Sequence, residues 1–245
     1  MLVLGMEAEE CVYVICAIWG DWPGSRRILA EHDDGSYGKR GGDSSYQHFY
    51  INKLAEGVAR HLSLPHRFIC FSDDPDKVPE GIDYQPLGCS VFTRCIPKCW
   101  VYAFSPLPAG AKCLVIDLDT IIVGSLDIFF QHDKELVARE KFCCLSKSVP
   151  DGDIVYFRVG SEATRRIEEI YLRELDSGFR LTNGGDERTI LEEAKANCWK
   201  DVIGHKICSY KYHAKRGLPR DSRIVSFHGK PLPHQATADW IKEKW

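Results

Sequence analysis

The sequence predicts an α/β protein, a doubly wound sandwich with a mostly parallel central sheet. Three observations carry this expectation. Short β-rich apolar runs alternate with amphipathic helical stretches along the chain. One run, Cys113 to Ile116, is four consecutive apolar residues, the length and character of a strand buried on both faces. That strand leads straight into Asp117-Leu118-Asp119, which puts carboxylates at the edge where open α/β sheets bind ligands.

The elements follow in order. Cys11 to Trp19 is a first core strand, closed by Gly20-Asp21. Pro23 to Ser45 is rich in Gly, Ser and charge without periodicity, and reads as an exposed, mobile excursion. Ile51, Leu54, Ala55, Val58 and Leu62 fall on one helical face, with Pro65 beyond the end. Arg67–Phe71 is a second strand with Ser72-Asp73-Asp74-Pro75 as its turn, and Ile82–Leu87 alternates as a third. Ile96–Phe104 reads as a short helix with Pro97 near its start, leading through a Pro-rich turn to the central strand. Leu136–Ala138, Phe142–Leu145 and Ile154–Arg158 are short strands whose crowding suggests an antiparallel addition to the sheet. Ser161 caps a helix with Ile167, Ile170, Tyr171 and Leu175 on one face. Thr182–Gly185 is a loop, Asp186–Cys198 a helix with an acidic start, and Arg223–Phe227 the last strand. Trp240–Trp245 is too short to classify.

The chain has 245 residues, enough for one large domain, 1–245, and no repeat or linker divides it. Apolar residues make up 44% and charged residues 27%, as in ordinary globular proteins. A net charge of −3 excludes a generic polyanion binder, although Lys200–Lys230 holds eight Lys/Arg against two Asp/Glu. That segment either faces a diphosphate or other anionic partner or is a solvated basic surface. Eleven cysteines, several inside apolar runs, fit reduced thiols used as small hydrophobes in a cytoplasmic protein. The start from Met1 to Met6 lacks the basic region of a secretory leader, and no apolar run approaches a membrane span. Cys89, Cys95 and Cys99 lack the paired Cys-x-x-Cys of a zinc site.

The Asp-x-Asp carries the chemistry. Residues two apart on a strand project to one side, and adjacent carboxylates repel unless a cation or protons separate them. The functional reading is a divalent-metal site. The alternative is a capping pair, one Asp on local backbone and the other in solvent.

These pieces together resemble the GT-A fold glycosyltransferases, most of all the glycogenin and bacterial galactosyltransferase type. The resemblance rests on the apolar first strand, HLSLPHRFICFSDDP, Lys98 ahead of the central strand, VIDLDTIIVGSLD, and a late FHGKP. It covers most of the chain outside Pro23–Ser45. It implies a mostly parallel central sheet flanked by helices, in the nucleotide-diphospho-sugar transferase fold. It further implies that Asp117, Asp119 and His228 bind Mn2+ (or Mg2+), with Asp117 also at the donor. Hard carboxylate oxygens with one imidazole suit manganese. Lys98 and Lys230 are implied as diphosphate contacts, with Gly229 allowing close backbone approach. Trp19 and Gly20 are implied at the nucleoside base and ribose, although Trp19 could equally be a packed core residue. Asp186, in Gly-Gly-Asp-Glu-Arg where related enzymes usually carry Asp-Gln, is implied near the sugar and acceptor, or is a helix N-cap.

The expected activity is a cytoplasmic, metal-dependent transfer of a hexose from a nucleotide diphosphate sugar, by default a UDP-sugar, to a hydroxyl acceptor. The resemblance implies retention of configuration, with the leaving phosphate assisting deprotonation of the acceptor. Glycan, lipid-linked sugar, protein and modified nucleic-acid base are open as acceptor, and donor and oligomeric state stay undetermined. Two rivals remain: a haloacid-dehalogenase-type phosphatase with Asp117 as nucleophile, and a non-catalytic nucleotide-sugar-binding protein. A nucleotidyltransferase is disfavoured, since no Gly-rich N-terminal loop is present to cradle a triphosphate.

Overall fold

The computed structural model describes residues 11–20, 44–90, 95–142, 149–178 and 186–245, with the side chains of 44–47 and Asp186 outside the description. Four strands, β1 (Val12–Ile18), β2 (His66–Ser72), β3 (Asp83–Pro86) and β4 (Lys112–Ile116), run parallel in the spatial order β3-β2-β1-β4. After β4 the chain leaves this sheet as β5 (Thr120–Ile122) and returns as β6 (Leu136–Glu140) and β7 (Pro150–Arg158). Strand β7 pairs antiparallel with both β4 and β6, which is the antiparallel addition expected from the sequence. Strand β8 (Asn197–Cys198) closes the seven-stranded sheet at its far edge. Strand order reverses between β1 and β4, and the crevice outside their carboxyl ends is where such sheets bind ligands.

Alternation along β4 divides the core. Cys113 and Val115 belong to the apolar cluster on one face, Leu114 and Ile116 to the cluster on the other, so this strand is buried on both sides. Helix α1 (Ser44–His61) covers the second face with Tyr50, Ile51, Leu54 and Val58. Helices α2 (Ile96–Phe104), α3 (Glu162–Asp176) and α4 (Asp186–Glu193) cover the first. Ser161 caps α3 as expected, its hydroxyl accepting the Thr164 N–H at 3.2 Å. Cys16, Cys70, Cys113 and Cys208 are buried free thiols, and Cys89, Cys99 and Cys198 are buried as well.

A second sheet, in the order β5-β10-β9, lies beside the first and is built from β5, β9 (Ile207–Ser209) and β10 (Ile224–Ser226). The sequence reading foresaw only β10 of these. Its core gathers Ile121, Val123, Cys208, Tyr210, Val225 and Phe227. A π-helical turn, Tyr210–Ala214, follows β9.

Two expectations are corrected. The helix from Asp186 stops at Glu193 rather than Cys198. Lys195 takes a left-handed conformation (φ 58°) and turns the chain, so that Asn197 and Cys198 pair with Val137 and Ala138 of β6. Trp199 then opens α5 (Trp199–Ile203), its indole N–H donating to the Ile154 carbonyl at 3.1 Å. Second, Asp117 and Asp119 do not sit on a strand: β4 ends at Ile116 and β5 begins at Thr120, so the motif is the bend joining the two sheets. The carboxyl-terminal segment, too short to classify from the sequence, forms α6 (Asp239–Lys244). Of the Pro23–Ser45 excursion, 23–43 lie outside the described residues, and its end is already helical in α1. The Phe142–Leu145 strand beyond Phe142 and the 182–185 loop also lie outside them.

Candidate active site

Backbone pairing at both ends fixes the bend. The Asp117 N–H donates to the Asp153 carbonyl at 2.8 Å, extending the β4–β7 ladder by one residue. The Phe227 N–H donates to the Asp119 carbonyl at 3.0 Å, extending the β5–β10 ladder. The first bond brings Asp151-Gly152-Asp153 alongside Asp117. The second brings His228 alongside the Asp-x-Asp from more than a hundred residues away in sequence.

Lys98 reaches the same point from the first turn of α2. Its side chain is only 4% exposed, and its Nζ donates to Asp117 Oδ1 at 2.8 Å and to the Gly152 carbonyl at 2.7 Å. It also pairs with Glu187 Oε2 at 3.1 Å. Glu187 accepts from the Tyr102 hydroxyl through Oε1 at 2.6 Å. An ideal Cβ at Gly152 would stand 1.8 Å from the Glu187 carboxyl carbon, so that carboxylate occupies space only a glycine leaves free. Burial pushes the Glu187 carboxyl up to about 7, against the pull of Lys98. The Lys98 ammonium is held well above its ordinary value despite burial, chiefly by Asp117 and then Glu187.

A second buried cation lies on the other side of the bend. Arg139, at the end of β6, bonds Asp153 and, at 2.8 Å, Asp151, while its guanidinium carbon lies 4.1 Å from the Phe142 ring centroid. Asp153 also accepts from the Ser226 hydroxyl. Burial first, then repulsion from Asp117 and Asp153, pushes the Asp119 carboxyl well above the usual carboxylate range. Asp117 is raised too, by burial ahead of the opposing Lys98 charge. Asp117, Asp119 and Asp153 thus form a half-buried group of hard oxygen donors short of positive charge. That donor chemistry fits a divalent cation such as Mn2+ or Mg2+.

His228 Nε2 is hydrogen-bonded to Ser209 Oγ at 2.6 Å, and its ring is flanked by Phe142 and Tyr212 with centroids 5.4 Å away in each case. Burial, then Lys211 and Arg139, lower its pKa and favour the neutral imidazole, the form that binds metals. Among the described residues, no group of three or more His, Cys, Asp or Glu is spaced to hold a metal ion as it stands. Asp117, Asp119 and His228 are therefore neighbours through the two ladders rather than a preformed ligand set.

The remaining expected residues are spread around this centre. Gly229 has φ 76°, the left-handed region that favours glycine, and a Cβ there would meet Lys211 Nζ at 3.3 Å. Lys230 is exposed. Gly20 donates its N–H to Asp73 Oδ2 at 3.0 Å, tying the end of β1 to the end of β2. Trp19 is buried with Tyr13, Ile15 and Phe71, and its indole N–H has no hydrogen-bond partner among the described residues. The side chain of Asp186 lies outside the description, so the expectation for it does too.

Sequence reasoning missed Glu187, Gly152, Asp153 and Arg139. Two of these left a signal. Glu187, Ile190, Leu191 and Ala194 recur at helical spacing, which places the glutamate on the buried face of α4. Asp151 and Asp153 open a strand that pairs with β4, and an antiparallel partner there had to end beside Asp117.

No protein-family model matches the chain, and no curated protein does. Solved structures do. The galactosyltransferase LgtC, in complex with donor and acceptor sugar analogues, matches with a TM-score of 0.58 at 11% identity, over 95% of this chain and 93% of its own. An active-site mutant of LgtC matches with a TM-score of 0.58 at 10% identity. The glycosyltransferase GlyE of Streptococcus pneumoniae TIGR4 matches with a TM-score of 0.57 at 14% identity, over 93% of this chain. The chain spans 57% of the length of GlyE. At such identities the likeness is one of fold, and the fold is the α/β GT-A arrangement with its mostly parallel central sheet.

Proposed function

We propose that this chain is a divalent-metal-dependent glycosyltransferase. It moves a hexose from a nucleotide diphosphate sugar, a UDP-sugar by default, to a hydroxyl acceptor with retention. The observation that carries this reading is the surplus of half-buried carboxylates at the bend after β4, at the switch point of a fold shared with solved glycosyltransferases. Asp117 and Asp119 would hold Mn2+ or Mg2+, with His228 as the neighbouring nitrogen donor. The cation would supply Lewis-acid stabilisation of the negative charge that develops on the leaving nucleoside diphosphate.

The chain's own residues do the rest. Arg139 holds Asp153 in a fixed position, so that carboxylate needs little reorganisation when a ligand arrives. Gly229, Lys230 and Lys211 line the approach after β10, where ammonium groups and a side-chain-free backbone suit a diphosphate. We assign Trp19 and Gly20, at the end of β1, to the nucleoside side of the crevice. We assign Asp186, at the start of α4, to the sugar and acceptor. No helix among the described residues is long and apolar enough to cross a membrane. The buried free thiols suit a reducing compartment, and on that ground we place the enzyme in the cytoplasm.

A thermal-shift screen of nucleotide sugars with and without Mn2+, on wild type and Asp119→Ala, tests this. Ligand at a hundredfold excess over its Kd adds about 2.7 kcal/mol of stability. One nucleotide sugar should raise the midpoint of the wild type only with Mn2+, and leave Asp119→Ala unmoved. No response to any donor with metal would reject the transferase reading. NMR of the product should show the donor's anomeric configuration, and an inverted anomer would reject retention.

A further inference from the structure

We infer that Glu187 is a positioning residue: it is the counter-charge Lys98 keeps when Asp117 turns to a cation. The inference rests on the metal-binding reading of Asp117 proposed above. The Lys98 ammonium has three donor protons and three acceptors around it: Asp117 Oδ1, the Gly152 carbonyl and Glu187 Oε2. The two carboxylates are not equivalent. Asp117 has a side chain 33% exposed and faces the crevice, whereas that of Glu187 is 7% exposed and lies inside. Glu187 is also locked in place. Tyr102 holds one of its oxygens at 2.6 Å, and the carboxylate fills the space above Gly152 that any side chain there would take.

A buried ammonium left without an anion is strongly unfavourable. With Asp117 alone as partner, Lys98 would compete with every cation for that carboxylate. Glu187 removes the competition: Asp117 can turn to a metal while Lys98 remains neutralised from behind. The one-sided arrangement, an accessible anion in front of the lysine and an immobile one behind it, is what a purely structural ion pair does not need.

The test is titration of Mn2+ alone, at pH 8, onto wild type, Glu187→Gln, Lys98→Met and the double variant Lys98→Met/Glu187→Gln. Free Mn2+ is read by electron paramagnetic resonance, and folding by the thermal midpoint. Glu187→Gln should weaken Mn2+ binding by roughly tenfold or more, the scale set by 1.4 kcal/mol per decade. The double variant should recover wild-type affinity, because no ammonium is left to strand, and should match Lys98→Met. A stranded lysine would also lower the thermal midpoint of Glu187→Gln, so affinities are compared on protein held well below its midpoint, where a merely structural glutamate leaves Mn2+ binding unchanged. Equal affinity of wild type and Glu187→Gln overturns the inference and leaves the proposed function standing. A difference between Lys98→Met and the double variant also overturns it, and needs no folded Glu187→Gln protein. Absence of Mn2+ binding by the wild type overturns this inference and the metal reading together.

Discussion

Gly152 and Glu187 share one volume, and that makes the pair a sharp test at the scale of single residues. Gly152→Ala forces its methyl into the Glu187 carboxylate, an overpacking change of about 1–3 kcal/mol. Urea unfolding should show that loss in the wild-type background and much less of it in Glu187→Ala, where the space is vacated. Additive losses would mean that the cost of Gly152→Ala does not come from the Glu187 carboxylate. Glu187 should also leave a mark on the pH dependence of stability. Its carboxyl is raised from an ordinary 4.5 to about 7 in the folded state, so between those values the native protein binds more protons than the unfolded chain. Its contribution therefore falls as pH rises from about 4.5 to 7 and levels off above. Replacement by Gln should remove that slope from a series of unfolding curves at pH 5 to 8. Lys98 was legible only through the family resemblance, as a lysine ahead of the central strand, and not through any local signal. Glu187 was passed over because its neighbour Asp186 drew attention to the helix terminus rather than to the buried face.

Among the elements, those specified by local chemistry were the legible ones. Helix α2 runs from Ile96 to Phe104, the bounds expected from its Pro and apolar spacing. Helix α3 begins after Ser161, whose hydroxyl satisfies the Thr164 N–H. Ser161→Ala should lower stability by about 1 kcal/mol, seen as a reduced melting midpoint, and Ser161→Asp should largely restore it. A serine that did not cap would give no such recovery. By contrast β5, β8 and β9 have two or three residues each, and nothing local distinguishes them from loop. They are strands because tertiary pairing makes them so. The stop at Glu193 is of the same kind: the residues after it favour helix, but edge pairing with β6 and the Trp199 bond to Ile154 outweigh that preference.

For the whole molecule, the alternation of short apolar runs and helices gave the sheet and its parallel half, and the spacing after the central strand gave the antiparallel half. What the sequence could not show is that the Asp-x-Asp belongs to neither sheet. It is the three-residue passage between them, and its geometry is set by partners at Asp153 and Phe227. Both core clusters meet on β4, so Leu114→Ala should cost about 2–5 kcal/mol in equilibrium urea unfolding. The loss should appear in a single transition followed by both near-ultraviolet and far-ultraviolet circular dichroism. Two separated transitions would show that the small sheet melts on its own.

The two rings beside His228 have a use outside energetics. Phe142 and Tyr212 lie at 5.4 Å from its imidazole, tilted by 30° and 32°. Aromatic ring currents at that range shift the resonances of its carbon-bound protons, as the rings at 4.5 and 5.4 Å do for His132. Comparison with His228→Ala assigns the lines of the imidazole at the join of the two sheets. Its lines would report the arrival of a paramagnetic or diamagnetic ligand without any label being attached.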